Sequence, residues 1–269
     1  ALPLGAACVA SSVKNQCKDL CVELFSPTKE DSDFLGKSQK EMAQVFVHQI
    51  FEKFSQKIDV VCLSVYVWNR HILEEAGKIL KSKGILVIAG GPEITANPRS
   101  FSGADFVVSG EGEGSVPALI SQALYGENSN IDLIIEDFGN TKLAKWGKSL
   151  SGEELTSPYL DGTIDLSKYE GALWELARGC PFKCSYCYES KGEKKVRLLP
   201  MERIEAELKL FAEKDVPQVF VLDPTYNANK ERALSLLKMM AKITPNTFYY
   251  FEARAEFIDR QIAKAFTKL

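Results

Sequence analysis

Short apolar runs, each closing on glycine or serine and separated by stretches of helical periodicity, leave this chain few architectures to adopt. Lys57-Ile-Asp-Val-Val-Cys-Leu-Ser-Val-Tyr66 contains the first run, Gly84-Ile-Leu-Val-Ile-Ala-Gly90 the second and Ala104-Asp-Phe-Val-Val108 the third. Runs this short and this rich in Val and Ile read as buried strands rather than helices. Between the first two, Ile72, Leu73, Ala76, Ile79 and Leu80 recur at the spacing of one helix face. Upstream, Leu20-Cys-Val-Glu-Leu-Phe25 reads as a weaker strand. Ser38 and Glu41 form a capping box opening a helix whose inward stripe is Met42, Val45, Phe46, Ile50 and Phe54. The first thirteen residues are uncharged and read as an initial helix entered at Pro3. Strands alternating with helices in this way predict a doubly wound α/β layer.

The last hundred or so residues keep the same beat. Ala172-Leu-Trp-Glu-Leu-Ala177 fits a strand buried on both faces, and Gln218-Val-Phe-Val-Leu222 fits a second. Phe248-Tyr-Tyr-Phe-Glu-Ala-Arg254 reads as a third. The helix over Pro200–Lys214 turns Ile204, Leu208 and Phe211 inward, and one from Asn229 to about Ile243 does so with Ala233, Leu236, Leu237 and Met240. A further helix begins near Phe257. Between the halves, Gly126–Glu170 is richer in Gly, Ser, Asn and Asp. Ile131-Asp-Leu-Ile-Ile135 reads there as a short strand, and Thr156-Ser-Pro-Tyr-Leu-Asp-Gly162 as an irregular connector. The division is therefore 1–125, a linker over 126–170, and 171–269.

Chemistry is concentrated in Arg178-Gly-Cys-Pro-Phe-Lys-Cys-Ser-Tyr-Cys-Tyr188, where Cys180, Cys184 and Cys187 are spaced C-x3-C-x2-C. Three thiolates on one loop can hold three irons of a cubane, whereas a closed cluster takes four cysteines. The fourth iron is then left for a substrate or cofactor. A zinc site would want paired knuckles and a fourth Cys or His nearby, and the two histidines, His48 and His71, lie far upstream. Disulfides suit neither the uneven scatter of seven cysteines nor a chain with no secretory signal. Inert core thiols are the remaining alternative, set against the polar loop character of Gly179, Pro181, Lys183 and Ser185. The loop follows a strand, at the carboxyl edge where parallel barrels place their chemistry.

This segment resembles the radical S-adenosylmethionine superfamily, whose signature is CxxxCx-aromatic-C, with Tyr186 as the aromatic. The resemblance implies a [4Fe–4S] cluster whose open iron chelates S-adenosylmethionine, cleaved by one electron to methionine and a deoxyadenosyl radical. It also implies a (β/α) TIM-like barrel, of which the chain carries a part. Polar groups at the strand ends, namely Asp223, Glu252 and Arg254, are by the same likeness contacts for the cofactor's ribose and methionyl groups. Glu252 and Arg254, two apart on the third strand, could instead form an interior ion pair. Tyr226, Asn227 and Asn229 read as turn and capping residues.

In the front half, glycines cluster at the carboxyl ends of the strands, the edge where open α/β sheets bind ligands. A phosphate loop is one alternative, but no G-x-x-x-x-G-K-[ST] is present and Gly110-Glu-Gly-Glu-Gly114 is acidic; simple turn glycines are another. Ahead of the cysteine loop, this arrangement resembles the cobalamin-binding radical S-adenosylmethionine proteins, over nearly the whole chain. Three loops carry the likeness: Ser64, Tyr66, Val67, Trp68 and Asn69 after one strand; Gly90, Gly91, Pro92 and Glu93 after the next; Gly110, Glu111, Gly112 and Glu113 after the last. A bacterial branch with the same Tyr-x-Trp-Asn loop, cysteine loop and Asn227–Lys230 stretch is the most similar. The family's loops surround the corrin ring and its nucleotide tail. The Asp-x-His-x-x-Gly motif of cobalamin mutases is absent, so the resemblance implies a cobalt without a lower histidine, or one capped by Tyr66 or Trp68; His48 and His71 read as surface or packing residues. It further implies that a strand ahead of the first helix, and later barrel units, lie outside these 269 residues.

Net charge is −3 and 45% of residues are hydrophobic, which suits one large core or two modest ones and gives no general attraction to nucleic acid. The uncharged N-terminal stretch is too short to span a bilayer. An oxygen-sensitive cluster and reduced thiols (Cys8, Cys17, Cys21 and Cys62 among them) point to the cytoplasm; Cys17 and Cys21 could alternatively join a second metal site. The expected function is an enzyme that makes a deoxyadenosyl radical and transfers a methyl group from cobalamin to an unactivated carbon of a small-molecule or peptide substrate. Its electron donor would be a flavodoxin or ferredoxin. The alternatives are radical chemistry without methylation, with the front domain as a platform for substrate or partner, and a cobalamin-holding or electron-transfer module without turnover.

Overall fold

A computed structural model describes residues 2–27, 36–126, 132–138, 141–187 and 195–269. They form two compact units, Gly5–Ser149 and Leu150–Leu269, the latter also taking in the first residues up to Leu4.

The first unit is a five-stranded sheet in the order β1-β2-β3-β5-β4. Its strands are β1 (Val60–Ser64), β2 (Leu86–Gly90), β3 (Phe106–Ser109), β4 (Leu133–Phe138) and β5 (Thr141–Trp146). All neighbours are parallel except β4, which runs antiparallel to β5. Helices α1 (Leu4–Gln16), α2 (Gln39–Lys53), α3 (Arg70–Ser82), the short α4 (Pro92–Ala96) and α5 (Gly112–Tyr125) surround it. One face buries Ala43 and Val47 of α2 and Leu73, Ala76 and Leu80 of α3 against Leu63, Val87, Ala89 and Val107. The opposite face buries Val13 of α1, Cys17 just past its end, and Val116, Leu119 and Ile120 of α5 against Ile88, Val108 and Ala144. Successive strand residues thus feed alternate cores, which is why β2 and β3 are apolar throughout.

Three expectations change here. Residues 21–27 form no strand. Leu20 and Val22 pack against the α1–α5 core and the Phe25 ring lies edge-on to Phe46 and Phe54, so the alternation serves side-chain packing rather than a ladder. Helix α2 opens with the capping box at Ser38 and Glu41, but buries Ala43, Val47 and Ile50, small or β-branched residues that let it sit close to the sheet. The supposed linker over 126–170 begins with sheet: β5 inserts beside β3, with Leu143 and Ala144 buried in opposite cores. Its Thr141-Lys-Leu-Ala-Lys-Trp146 run is interrupted by Lys142 and Lys145 and so does not read as apolar.

The second unit holds a parallel sheet in the order β10-β9-β6, built from β6 (Ala172–Trp174), β9 (Gln218–Val221) and β10 (Phe248–Phe251). Helices α6 (Met201–Glu213), α7 (Lys230–Ile243) and α8 (Arg260–Phe266) alternate with the strands. Asn229 caps α7 by accepting the Arg232 N–H at 2.9 Å. Val219, Val221 and Trp174 are buried on one face, where the Phe211 ring of α6 meets Trp174 at 5.5 Å edge-on. On the other face Phe220, Phe248 and Tyr250 are exposed, with Phe220 and Tyr250 stacked at 4.0 Å. Burial is therefore one-sided, not two-sided as the apolar runs suggested. Among the described residues no helix is long and apolar enough to cross a membrane.

A buried carboxylate ties this unit's connector to its sheet. Glu207 of α6 accepts the Trp174 indole N–H at 2.6 Å and the Arg203 Nε–H at 2.9 Å, and also the Ser157 hydroxyl. Arg203 in turn donates to the Leu155 carbonyl at 2.7 Å. Glu207→Ala would leave a guanidinium, an indole and a hydroxyl without their acceptor, and should cost about 3–5 kcal/mol in urea unfolding followed by circular dichroism. Glu207→Gln, which keeps an acceptor oxygen, should cost clearly less; equal losses would show that the charge, not the acceptor, matters.

Candidate cofactor sites

The cysteine loop is rooted in a bend. Strand β6 ends where the Trp174 carbonyl accepts the Leu222 N–H at 2.7 Å. The chain then leaves the parallel sheet to form β7 (Ala177–Arg178), paired antiparallel with β8 (Arg197–Leu198). Leu176, at the bend, is held by both of its peptide groups. Its N–H and that of Ala177 donate to Oδ1 of Asp223, at 2.7 and 3.0 Å. Its carbonyl accepts from the Leu199 N–H at 3.0 Å and from Nη2 of Arg232 at 3.2 Å. Arg232 also donates to the Leu199 carbonyl at 2.9 Å. The ligands thus follow a short ribbon braced by Asp223 and Arg232 rather than the barrel strand itself. Gly179, at φ +92°, turns the chain into the loop.

Cys180 is buried, Cys184 and Cys187 are half-buried, and none of the three is in a disulfide. A turn bonds the Cys187 N–H to the Cys184 carbonyl at 3.1 Å. Tyr186, between them, is 90% exposed. Among the described residues no three His, Cys, Asp or Glu side chains are gathered to hold a metal ion, these thiols and Cys17 with Cys21 included. A cubane asks less convergence than a single ion, because each thiolate binds its own iron, and metal binding draws ligand loops closed. The donor set therefore fits a cubane by its chemistry: three thiols outside any disulfide on one loop, with the Arg254 guanidinium 3.8 Å from the Cys184 sulfur.

Glu252 and Arg254 do not share a strand face, because β10 stops at Phe251. Arg254 pairs with Glu256, not Glu252, and Glu252 is exposed. Asn227, read as a turn residue, is buried and bonded on both sides to the Arg254 backbone. Arg232 was missed: on an exposed helix face by pattern, it reaches back to the carbonyls of Leu176 and Leu199, a role with no local signature.

In the first unit the three loops do lie at the carboxyl ends of β1, β2 and β3, the second and third of them bearing glycines. Asn69 fixes the first: its Oδ1 accepts the Tyr66 N–H at 2.7 Å and its Nδ2 donates to the Ser64 carbonyl at 3.1 Å. The next loop packs on it, with a Val65 N–H to Gly90 carbonyl bond of 2.7 Å. Gly91, at φ +110°, has room for no side chain, since a Cβ would stand 2.6 Å from the Val65 carbonyl oxygen. Pro92 starts α4, and Glu93 is engaged by Arg70 at 3.0 Å. Tyr66 and Trp68 stack at 4.6 Å with their planes 10° apart. Val67 and Trp68 are both largely exposed.

The last loop divides. Gly110, at φ +88°, faces open space, and Glu111 precedes the helix without capping it. Gly112 and Glu113 are instead built into α5. A Cβ on Gly112 would lie 2.9 Å from Val9 of α1, and Glu113 is buried with its carbonyl accepting the Ser12 hydroxyl at 2.6 Å. These two belong to packing, not to an open ligand edge. His48 is exposed and pairs with Glu52, and His71 is exposed on α3. What fits a corrin here is an edge with an unfilled glycine and a flat aromatic pair of which Trp68 faces solvent and Tyr66 is half-buried, carrying no histidine.

Burial pushes the Asp223 carboxyl up to about 6, a rise opposed by the two amide hydrogen bonds and by Arg232 and reinforced by Glu175. A carboxyl raised in the folded state favours folding most fully below the ordinary carboxylate range. That contribution is lost as pH rises through about 6. Asp223→Asn keeps the acceptor oxygen without the buried charge. Its stability relative to the unaltered protein should therefore climb between about pH 4 and 6 and level off above, by about 3 kcal/mol in all, in urea titrations across that range.

Comparison with known families agrees with both halves. Residues 2–120 match the B12 binding domain, and residues 174–269 match the Radical SAM superfamily. The 2-(S-pantetheinyl)-carbapenam-3-carboxylate methyltransferase of Streptantibioticus cattleyicolor is 33% identical over 62% of this chain and 28% of its own. The cobalamin-dependent radical SAM methyltransferase TokK of Streptomyces tokunonensis is 30% identical over the same shares, 62% and 28%. The match therefore spans little more than a quarter of either relative's own length. In fold it is similar to the radical S-adenosylmethionine methyltransferase TsrM of Kitasatospora setae, with a TM-score of 0.72 at 14% identity over 100% of this chain and 55% of that one. Cobalamin, S-adenosylmethionine and a [4Fe–4S] cluster are the cofactors these two domains imply. The chain thus carries a B12 binding domain followed by a radical SAM domain.

Proposed function

We propose that the protein is part of a cobalamin-dependent radical SAM methyltransferase acting on an unactivated carbon of a small-molecule or peptide substrate. The observation that carries this reading is a loop of three thiols outside any disulfide, Cys180, Cys184 and Cys187, braced at the edge of a parallel sheet, in the same chain as an α/β sheet whose first three strands fall within the residues that match a B12 binding domain. When bound, the cluster and S-adenosylmethionine supply a carbon radical, and cobalamin supplies a methyl carrier. The chain's own part is to hold and orient these groups.

Cys180, Cys184 and Cys187 supply the thiolates. Tyr186 offers an exposed flat ring to the nucleoside of S-adenosylmethionine, and Glu252 and Arg254 offer charges to its amino and carboxylate groups. Asp223 acts one step back, through the bend at Leu176. On the corrin side, Ser64, Tyr66, Val67, Trp68 and Asn69 form the first contact loop, Gly90, Gly91, Pro92 and Glu93 the second, and Gly110 and Glu111 the third. Tyr66 and Trp68 present a stacked aromatic face without a ligating nitrogen, which suits a weakly ligated, easily reduced cobalt. Radical SAM enzymes need a reductant, and for this protein a flavodoxin or ferredoxin fits.

Anaerobic reconstitution tests the reading. The protein should take up about four irons, release deoxyadenosine with a strong reductant, and bind a corrinoid whose spectrum shows no histidine ligand. Cys184→Ala should lose both cluster and cleavage while keeping corrinoid binding. Retained cleavage in that variant would exclude the ligand assignment; iron without cleavage in the unaltered protein would favour a carrier.

A further inference from the structure

Arg254 lies on the cysteine loop without being part of it. Its guanidinium stands 4.1 Å from the centre of the Phe182 ring, and Nη1 is 3.8 Å from the Cys184 sulfur. A cation over an aromatic face gains directly from the ring's electrostatics, so Phe182 helps hold the charge against the neighbouring ligand. The position does not come from a strand, since Arg254 follows the end of β10. It comes from Asn227, 2% exposed in the turn before α7. The Asn227 amide donates to the Arg254 carbonyl at 2.8 Å and accepts the Arg254 N–H at 2.9 Å. Only a side chain with one donor and one acceptor side by side can make that pair of bonds. A Tyr226 N–H to Glu252 carbonyl bond of 3.0 Å ties the same two stretches one step further along.

We infer that Arg254, through its contact with Cys184, raises the reduction potential of the cluster, and that Asn227 is the positioning residue that keeps it there. The inference rests on the reading of the loop as a [4Fe–4S] site. Iron–sulfur potentials respond to nearby charge, to hydrogen bonds on the sulfurs and to solvent exposure. An electron delivered by a flavodoxin- or ferredoxin-type donor adds negative charge to the cluster, and a guanidinium on a ligand sulfur stabilises that added charge. Glu256, which binds the same guanidinium from its exposed side, partly offsets the effect. Both partners are substantially solvent-exposed, so screening limits but does not cancel the local bond to sulfur.

The test is a redox titration of the anaerobically reconstituted protein, following the reduced-cluster signal by electron paramagnetic resonance. Arg254→Gln should move the midpoint to a more negative value at unchanged iron content. Arg254→Lys, which keeps a charge but not the planar fork, should move it less. Asn227→Ala should move it in the same direction as Arg254→Gln although Asn227 touches no sulfur; a purely structural role would lower iron content or stability and leave the midpoint of the loaded fraction alone. Should Arg254→Gln fail to load, Glu256→Gln gives the opposite arm, an upward shift. Loaded Arg254→Gln or Glu256→Gln protein with the unaltered midpoint overturns the role of Arg254. An unshifted Asn227→Ala overturns that of Asn227. An unaltered protein that takes up no iron overturns the cluster reading itself.

Discussion

Leu176 is gripped at both of its peptide groups by side chains from elsewhere in the fold: Asp223, at the end of β9, takes its N–H, and Arg232, on α7, reaches its carbonyl. A backbone bend between a parallel sheet and an antiparallel ribbon has no ladder of its own to satisfy it, and buried peptide groups left unpaired are costly. Side-chain groups therefore replace the missing rungs. Because the ribbon opens directly into Gly179 and Cys180, the direction in which the first ligand leaves the sheet is fixed by this grip. Asp223 and Arg232 also oppose each other in charge, so each lowers the cost of burying the other.

The same division of labour recurs around the loop. Glu207 orients Trp174, the last residue of β6, and Asn227 orients Arg254. All of these buried polar groups lie in strand ends, turns or helices of the second unit, beside chemistry that needs fixed positions. In the first unit the site edge is shaped differently. There the backbone itself does the work: Gly91 permits a close approach that any side chain would block, and Asn69 ties its loop to the end of β1. A large flat ligand needs open surface more than it needs directed charge, and an edge of glycine and a stacked aromatic pair provides that surface.

Much of this was legible in the sequence because it depends on local patterning. The apolar runs that became β1, β2 and β3, the capping box at Ser38 and the cap at Asn229 are short-range signals, and each marks a strand or a helix start of the fold. What failed was non-local. Strand β5 is hidden in the sequence because Lys142 and Lys145 interrupt its apolar residues, although only Lys142 is fully exposed. Leu20–Phe25 mimics a strand because Leu20 and Val22 pack inward while Cys21 and Glu23 are exposed, the alternation of a half-buried ladder without its partner strand. Gly112 and Glu113 continue the Gly110–Gly114 run in sequence but are drawn into α5 by Val9 and Ser12, a hundred residues away. Arg232 and Asn227 carried no warning, since their partners are backbone groups that any sequence supplies.

A charge next to a ligand must be held more firmly than a charge that merely solvates a surface, or thermal motion averages its effect away. Arginine has a long side chain with ample rotamer freedom, which Phe182, Glu256 and the Cys184 contact reduce from three sides. Those contacts fix the guanidinium only if the backbone carrying it is itself fixed. Residues 252–254 lie past the last strand rung, where nothing regular restrains them, and it is there that Asn227 and the Tyr226 N–H are bonded. An interior asparagine with both amide functions spent on one distant residue contributes little that apolar packing could not supply more cheaply, unless the position of that residue matters. The cost of burying Asn227 is thus an argument, independent of the thiols, that Arg254 is held where it is for the sake of what lies beside it.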